Sequence, residues 1–214
     1  MRLDHVSYVA SHDQISDVVN RIGSQIGTAF VDGGIHPKFG TRNFTAPLLN
    51  GQYIEVVCPM DHPATELTPF GQIVKKKADE GGGWLSWVVS TESISLIETR
   101  LGRKSVNAVR KKPDGSELQW KQLGVLATME DYQLPFYVEW INSIHPSNDG
   151  IKNASISNLE VKGSKEKIIK WLNLDISEVL LGIGISWIND SDVSIPTGIQ
   201  SVTFKLGDEQ IRID

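Results

Sequence analysis

The sequence predicts an α+β protein made of two βαβββ units and a C-terminal partial third unit. Residues 1–58 have the pattern of a strand, an amphipathic helix and three strands, and residues 84–141 repeat that order. Three consecutive glycines at residues 81–83 separate the two halves. Because a pattern that recurs along a chain indicates a duplicated unit, we expect the two halves to superpose.

In the first unit, residues 3–10 alternate between apolar and polar side chains and predict a strand. Ser11 is the expected N-cap of the next helix, whose apolar residues run from Ile15 to Ile22 at helical spacing and which Gly23 closes. The other strands of this unit are expected at residues 29–31, 42–49 and 52–58.

The second unit is expected to contain a helix at residues 92–101 and strands at residues 84–91, 105–111, 116–125 and 135–141. The main domain then covers residues 1–142. In the tail, residues 151–214, a strand and a helix capped by Ser164 precede strands near residues 179–187, 199–206 and 209–213. Because an isolated tail would expose its apolar run at residues 179–185, we expect it to pack on the core or to pair with a second copy in a homodimer.

The composition excludes several classes of protein. A net charge of −5 provides no basic surface for nucleic acid or an anionic membrane. The single cysteine, Cys58, excludes an intramolecular disulfide and a thiolate cluster for zinc. No apolar run reaches membrane-spanning length, and the N-terminus has no signal-peptide pattern. We therefore expect a cytoplasmic protein that binds neither nucleic acid nor membrane.

Two predicted strands each carry one carboxylate among apolar residues, Glu55 and Glu139. Burying a charge is unfavourable unless a partner compensates it. Together with His5 on the first strand, the two carboxylates suggest one cavity with a metal site or an acid–base site. The alternatives are a core histidine bonded to the backbone, and carboxylates paired with Arg42 or Arg110.

Several short motifs occur in a characteristic order at residues 3–6, 33–37, 39–43, 51–59, 110–115 and 134–140. With the paired units, they resemble the vicinal oxygen chelate superfamily, which includes glyoxalases, bleomycin-resistance proteins and extradiol dioxygenases. More narrowly, the chain is similar to the glyoxalase-like domain family. The resemblance implies a curved mixed sheet around a cleft, with metal ligands on the first and fourth strands of each unit.

The resemblance also implies a ligand set. His5 fits the first ligand position, Glu55 the second and Glu139 the fourth, whereas the third falls on Leu85 or Ser86 and departs from the four-ligand site of glyoxalase I. A His-Glu-Glu site with open positions for a bidentate substrate remains, for a divalent ion such as Zn, Mn, Fe, Ni or Mg.

Four further residues are expected to bind substrate: His36, Arg42, Asn43 and Trp120. His36 is placed at the pocket rim by its family position, and Arg42 would hold a carboxylate or phosphate through two hydrogen bonds. Trp120 would supply an aromatic wall. The alternatives are an exposed loop histidine, a surface arginine and a core tryptophan.

Two functions remain open. The leading hypothesis is a metal-dependent lyase or isomerase that acts on a small oxygen-rich molecule in the cleft, with Glu139 as the base. The alternative is a metal-free protein of the same fold that sequesters a small molecule or antibiotic in an aromatic-lined groove. Three ligand-type residues favour the enzyme, and the six tryptophans permit the binding protein.

Overall fold

Eight strands close into a barrel, and they come from two units with the same order of elements. The computed structural model describes residues 1–141, 144–188 and 195–214. The first unit consists of β1 (Arg2–Val9), α1 (Ile15–Ile26), β2 (Val31–His36), β3 (Thr41–Pro47) and β4 (Tyr53–Pro59). The connecting helices are α2 (Pro63–Leu67) and α3 (Pro69–Asp79). The second unit consists of β5 (Gly83–Ser90), α4 (Ile94–Leu101), β6 (Val106–Lys111), β7 (Glu117–Leu123), α5 (Val125–Glu130) and β8 (Phe136–Ile141).

The pairing of strands repeats along with their order. In each unit the first strand pairs in parallel with the fourth, β1 with β4 and β5 with β8. The two first strands pair antiparallel, and the barrel closes where Ile35 of β2 meets Lys111 of β6. The predicted α+β class with paired units is confirmed, and the curved sheet closes completely.

Helix α1 differs from its predicted bounds. The N-cap expected at Ser11 is wrong, because the helix begins at Ile15. It ends at Gly27, which has a φ of 63° and supplies the left-handed residue that closes many helices. Gly23 lies inside the helix instead, where a side chain would meet the backbone of the following turn.

A second, four-stranded sheet follows the barrel. Its elements are β9 (Ala154–Lys162), α6 (Lys165–Leu172), α7 (Ile176–Leu180), β10 (Gly184–Ile188), β11 (Gly198–Leu206) and β12 (Glu209–Ile213). The element order is that of a partial third unit, but the strand order is β10-β9-β11-β12. The first strand of this sheet, β9, therefore pairs with the second and third strands, β10 and β11. In each barrel unit the first strand pairs with the fourth instead. The strand predicted from residue 179 is replaced at its start by the end of α7.

This second sheet packs against the outer face of the barrel. One continuous apolar cluster contains Trp84 and Trp87 of β5 together with Leu159 and Phe204 of the second sheet. The Trp84 indole N–H donates to the backbone oxygen of Ile213, 2.9 Å away. The expected boundary between two domains stays a prediction, as do the homodimer and the cytoplasmic location. Within the described ranges, no helix is long and apolar enough to cross a membrane.

We predict that the barrel closure depends on Gly34. Its φ is +93°, and a Cβ there would lie 1.8 Å from the backbone oxygen of Lys111 on the neighbouring strand. Gly34→Ala should lower the free energy of unfolding by about 2–4 kcal/mol. Thermal denaturation followed by circular dichroism measures the loss.

The matched control is Gly115→Ala. Gly115 has a similar φ of +85°, but none of the described residues has an atom within 4 Å of a Cβ there. In this variant only the positive φ disfavours alanine, so it should lose less stability than Gly34→Ala. Equal losses in the two variants would show that the β2–β6 contact tolerates a side chain.

Candidate functional site

A small cavity lies inside the barrel and is lined by both units. Its walls are His5, His36, Asn43, Tyr53, Glu55, Phe70, Arg110, Trp120, Gln122, Phe136, Val138 and Trp140. The cavity volume is about 30 Å³, which accommodates roughly two water-sized groups without movement of the walls. A carboxylate is a group of this size.

Strand alternation decides which predicted residues reach the cavity, because successive side chains point to opposite faces. Glu55 of β4 faces inward, as do Val138 and Trp140 of β8. Glu139 lies between Val138 and Trp140 and faces outward. The expectation that it joins the same cleft is therefore wrong, and the two carboxylates do not occupy equivalent positions.

The outward-facing Glu139 has contacts of its own. Its Oε2 accepts a hydrogen bond from the backbone N–H of Ile94, 3.2 Å away at the start of α4. Lys121 Nζ lies 3.9 Å from the same oxygen. A carboxylate at a helix N-terminus satisfies a free N–H group and interacts favourably with the helix dipole. In this structure Glu139 thus stabilises a helix end.

His5 projects into the cavity from an irregular position on β1. The pairing of β1 with β5 shifts register between Leu3 and His5, and such a bulge re-aims side chains. His5 Nδ1 lies 2.7 Å from Asp4 Oδ1. The other oxygen of Asp4 accepts from the Trp140 indole at 3.2 Å and from His145 Nε2 at 3.0 Å.

Asp4 fixes the tautomer of His5. Burial raises the pKa of Asp4, but hydrogen bonds from His145 and His5 outweigh it and hold this pKa well below its usual range. Because an ionised carboxylate only accepts hydrogen bonds, His5 Nδ1 must carry the proton. The other ring nitrogen, Nε2, faces Glu55, whose Oε2 is 3.9 Å away.

Glu55 is a buried carboxylate held by two donors. The Ser7 hydroxyl donates to Oε2 at 2.8 Å, and the Asn43 amide donates to Oε1 at 2.7 Å. Burial raises the pKa of Glu55, but electrostatic interactions with His5 and His36 together with these hydrogen bonds lower it below its ordinary value. Glu55 is therefore ionised at neutral pH.

Arg110 is the most unusual member of the cavity. Only 2% of the residue is exposed, and its Nη1 donates a long 3.4 Å bond to the uncharged oxygen of Asn43. Nε and Nη2 have no hydrogen-bond partner in the described part of the chain. An arginine stays charged even when buried, and its N–H groups suit hydrogen bonding to an anion.

A glycine on β2 makes room for this arrangement. A Cβ on Gly33 would lie 2.1 Å from Asn43 Oδ1 and 2.8 Å from Arg110 Nη1. Both side chains therefore occupy the space that any larger residue would fill.

His36 and Trp120 lie inside the cavity wall. His36 Nδ1 is 2.8 Å from the Thr41 hydroxyl, and the His36 and Trp120 rings meet edge to face with centroids 5.6 Å apart. Burial lowers the pKa of His36 to about 4, although the charge of Glu55 opposes this shift. His36 is thus a neutral wall residue at physiological pH.

Arg42 does not reach the cavity, and the expectation that it lines the cleft is wrong. Asn43 faces inward on β3, so its neighbour Arg42 faces outward. Its guanidinium pairs with Asp32 and lies 5.3 Å from the centre of the Phe44 ring. Arg110, and not Arg42, is the arginine that lines the cavity.

The side chains do not fit the expected His-Glu-Glu metal site. Of the three residues, only His5 and Glu55 face the cavity. The described residues contain no group of three or more His, Cys, Asp and Glu side chains that could hold a metal ion. Both oxygens of Glu55 already accept hydrogen bonds. The guanidinium of Arg110 places a positive charge in the same cavity, where a second cation would be repelled.

Sequence reasoning missed three members of this site. Asp4 stands beside His5, but strand alternation predicts that it points away. Arg110 was considered only as a counter-ion of the carboxylates. His145 lies after the last predicted strand of the main domain, yet its side chain is only 15% exposed and contacts Asp4. The bulge at β1 is the signal that was not visible in the sequence.

We predict that Arg110→Met stabilises the free protein and abolishes anion binding. Replacing a buried, poorly paired charge by an apolar side chain of similar length should raise the free energy of unfolding by about 1–3 kcal/mol. Acetate and formate should raise the melting temperature of the wild type at constant ionic strength, but not that of this variant. Arg42→Met is the control, since it removes an outer arginine and should leave the anion effect intact.

We also predict that His36 makes stability depend on pH. Its pKa is about 4 in the folded protein and about 6.5 in an unfolded chain. Between these values the unfolded state binds more protons, so stability falls as pH falls. From pH 7 to 5 this group should remove about 2 kcal/mol of stability. His36→Asn should lack that loss in urea titrations, whereas His12→Asn should retain it.

Comparison with known proteins places the fold. A hypothetical protein from Staphylococcus aureus superposes with a TM-score of 0.61 and 18% identity, over 100% of this chain and 85% of its own. Methylmalonyl-CoA epimerase from Mycobacterium tuberculosis follows with a TM-score of 0.46 and 14% identity, over 67% of this chain and 89% of its own. A Streptomyces coelicolor methylmalonyl-CoA epimerase in complex with 2-nitronate-propionyl-CoA has a TM-score of 0.42 and 12% identity, over 67% of this chain and 99% of its own.

No protein with a curated description matches the sequence. The family model described as "Glyoxalase-like domain" matches residues 3–173, which span the barrel and the first strand and helix of the second sheet. The chain therefore belongs to the glyoxalase-like domain family.

Proposed function

We propose that this protein is a lyase or isomerase that moves a proton on a small, oxygen-rich carboxylate held inside the barrel. The observation that carries the proposal is the pairing of two groups in one cavity. One is a histidine oriented by a buried carboxylate, and the other is a buried guanidinium with unpaired N–H groups. The first suits proton transfer and the second suits anion binding.

Arg110 would bind the substrate carboxylate. Its Nε and Nη2 lack partners among the described residues, so a carboxylate could accept from both at once. The cavity is small and lined by aromatic rings, which makes such a charge-assisted interaction stronger than it would be in water. An adjacent carbonyl would then lie near the other cavity groups.

His5 takes the role of base that the sequence suggested for Glu139. Nε2 would accept a proton from the carbon next to the carbonyl, and the C–H electron pair would move onto the carbonyl oxygen. The positive charge of Arg110 stabilises that oxyanion. Return of the proton from His5 to another position completes an isomerisation, and loss of a leaving group from the neighbouring carbon completes an elimination.

Asp4 and Glu55 support the protonated state of His5 in this scheme. Asp4 accepts from Nδ1 at 2.7 Å, and the Glu55 carboxylate lies 3.9 Å from Nε2. Both negative charges favour the imidazolium that forms when His5 takes the proton. The side chains of this cavity therefore supply the stabilisation that the metal-dependent version of the hypothesis assigned to a divalent ion.

A second candidate is a metal-free protein that binds a small anion without changing it. The unpaired guanidinium of Arg110 and the aromatic walls favour it, because both suit binding alone. The two candidates differ in whether the bound molecule exchanges protons.

The experiment is hydrogen–deuterium exchange in D₂O with pyruvate, 2-oxobutyrate and malonate as probes. The wild type should accelerate exchange of the protons next to the carbonyl, as followed by ¹H NMR, and His5→Asn should slow it about a hundredfold or more. Glu55→Gln should also reduce exchange. Glu139→Gln is the matched control, since it makes the same chemical change outside the cavity.

Saturation-transfer NMR on the same samples separates the candidates. Binding without accelerated exchange for all three probes would favour the sequestering protein. If no probe binds, or if Glu139→Gln matches Glu55→Gln, the proposed site is wrong.

A further inference from the structure

We propose that a groove at one end of the barrel binds the distal, anionic end of an elongated substrate whose carboxylate head reaches Arg110. The inference rests on the proposed function, because it extends the same ligand. The groove lies between the β6 and β7 ends and the starts of α3 and α5, and its volume is about 460 Å³. This is within the range of small-molecule sites, about 300–1,000 Å³.

The groove adjoins the barrel cavity. Gln122 lines both spaces, and the first two residues of α3 are divided between them, Pro69 in the groove and Phe70 in the cavity. Gln122 is buried, and its Oε1 accepts a hydrogen bond from the Trp120 indole at 3.2 Å. A ligand too long for the small cavity would therefore extend beside Gln122 into the groove.

The groove has the chemistry of an apolar channel with a basic edge. Val106 and Leu126 line it with side chains that are 40% and 53% exposed. Its charged residues are Arg103, Lys104 and Glu130, which leave an excess of one positive charge. The Lys104 side chain is 90% exposed, and its Nζ lies 3.8 Å from Glu98 Oε2, so this ion pair is screened by solvent.

These features define the ligand class. The cavity selects a carboxylate beside a carbonyl, the exposed apolar side chains favour a hydrocarbon spacer, and the cations favour a second anionic group. A short carboxylate would fill only the cavity. An elongated dianion would use both spaces, and its remote charge would add affinity through Arg103 and Lys104.

The test compares straight-chain monocarboxylates with α,ω-dicarboxylates of the same length by titration calorimetry at low salt. Once the chain is long enough for the second carboxylate to reach the groove, the dicarboxylate should bind about five- to tenfold more tightly than the monocarboxylate of the same length. The double variant Arg103→Gln/Lys104→Gln should abolish this gain without weakening the monocarboxylates. Lys205→Gln, which removes an exposed cation on the second sheet, should leave the gain intact.

The same data separate this inference from the function on which it rests. Short monocarboxylates report on Arg110, so failure of the wild type to bind any of them overturns the proposed function and the groove together. Binding of monocarboxylates with no gain for dicarboxylates at any length overturns the groove alone. A gain that persists in the double variant also overturns it.

Discussion

A guanidinium with no carboxylate partner among the described residues lies inside this barrel, and the other side chains of the cavity are arranged around it. Arg110 is buried, and its strongest acceptor in the described chain is an amide oxygen 3.4 Å away. Glu55, the carboxylate that lines the same cavity, instead accepts from Ser7 and Asn43. A fold selected for stability alone would pair or remove such a charge. An unpaired buried charge is expected at a site where a bound ligand supplies the missing partner.

The two units share a topology but differ in chemistry. Both contain a first strand paired in parallel with a fourth, yet β4 directs Glu55 inward while β8 directs Phe136, Val138 and Trp140 inward. The first unit thus supplies the histidines and the carboxylate, and the second supplies the arginine and most of the aromatic wall. Duplication explains the barrel, whereas divergence of the inward positions explains why one cavity holds both a histidine and a guanidinium.

The fold was predictable because element order and turn glycines repeat along the sequence, and those signals are local. The site was predictable only in part. His5, His36, Asn43, Glu55 and Trp120 all line the cavity, whereas Glu139 and Arg42 do not. The reason is strand parity: a shift of one residue moves a side chain to the other face of a strand. Parity depends on bulges, such as that between Leu3 and His5, and pairing across distant strands sets those bulges.

A residue between the barrel and the second sheet, His145, contacts the site through Asp4. The match to the family model extends past the barrel and includes this residue. His145 Nδ1 accepts from the backbone N–H of Ser147, so its Nε2 must carry the proton that is donated to Asp4. Asp4 in turn holds His5. The position of His5 therefore depends on residues that follow the barrel. Asp4 thus orients His5 with one carboxylate oxygen, while Trp140 and His145 hold the other oxygen in place.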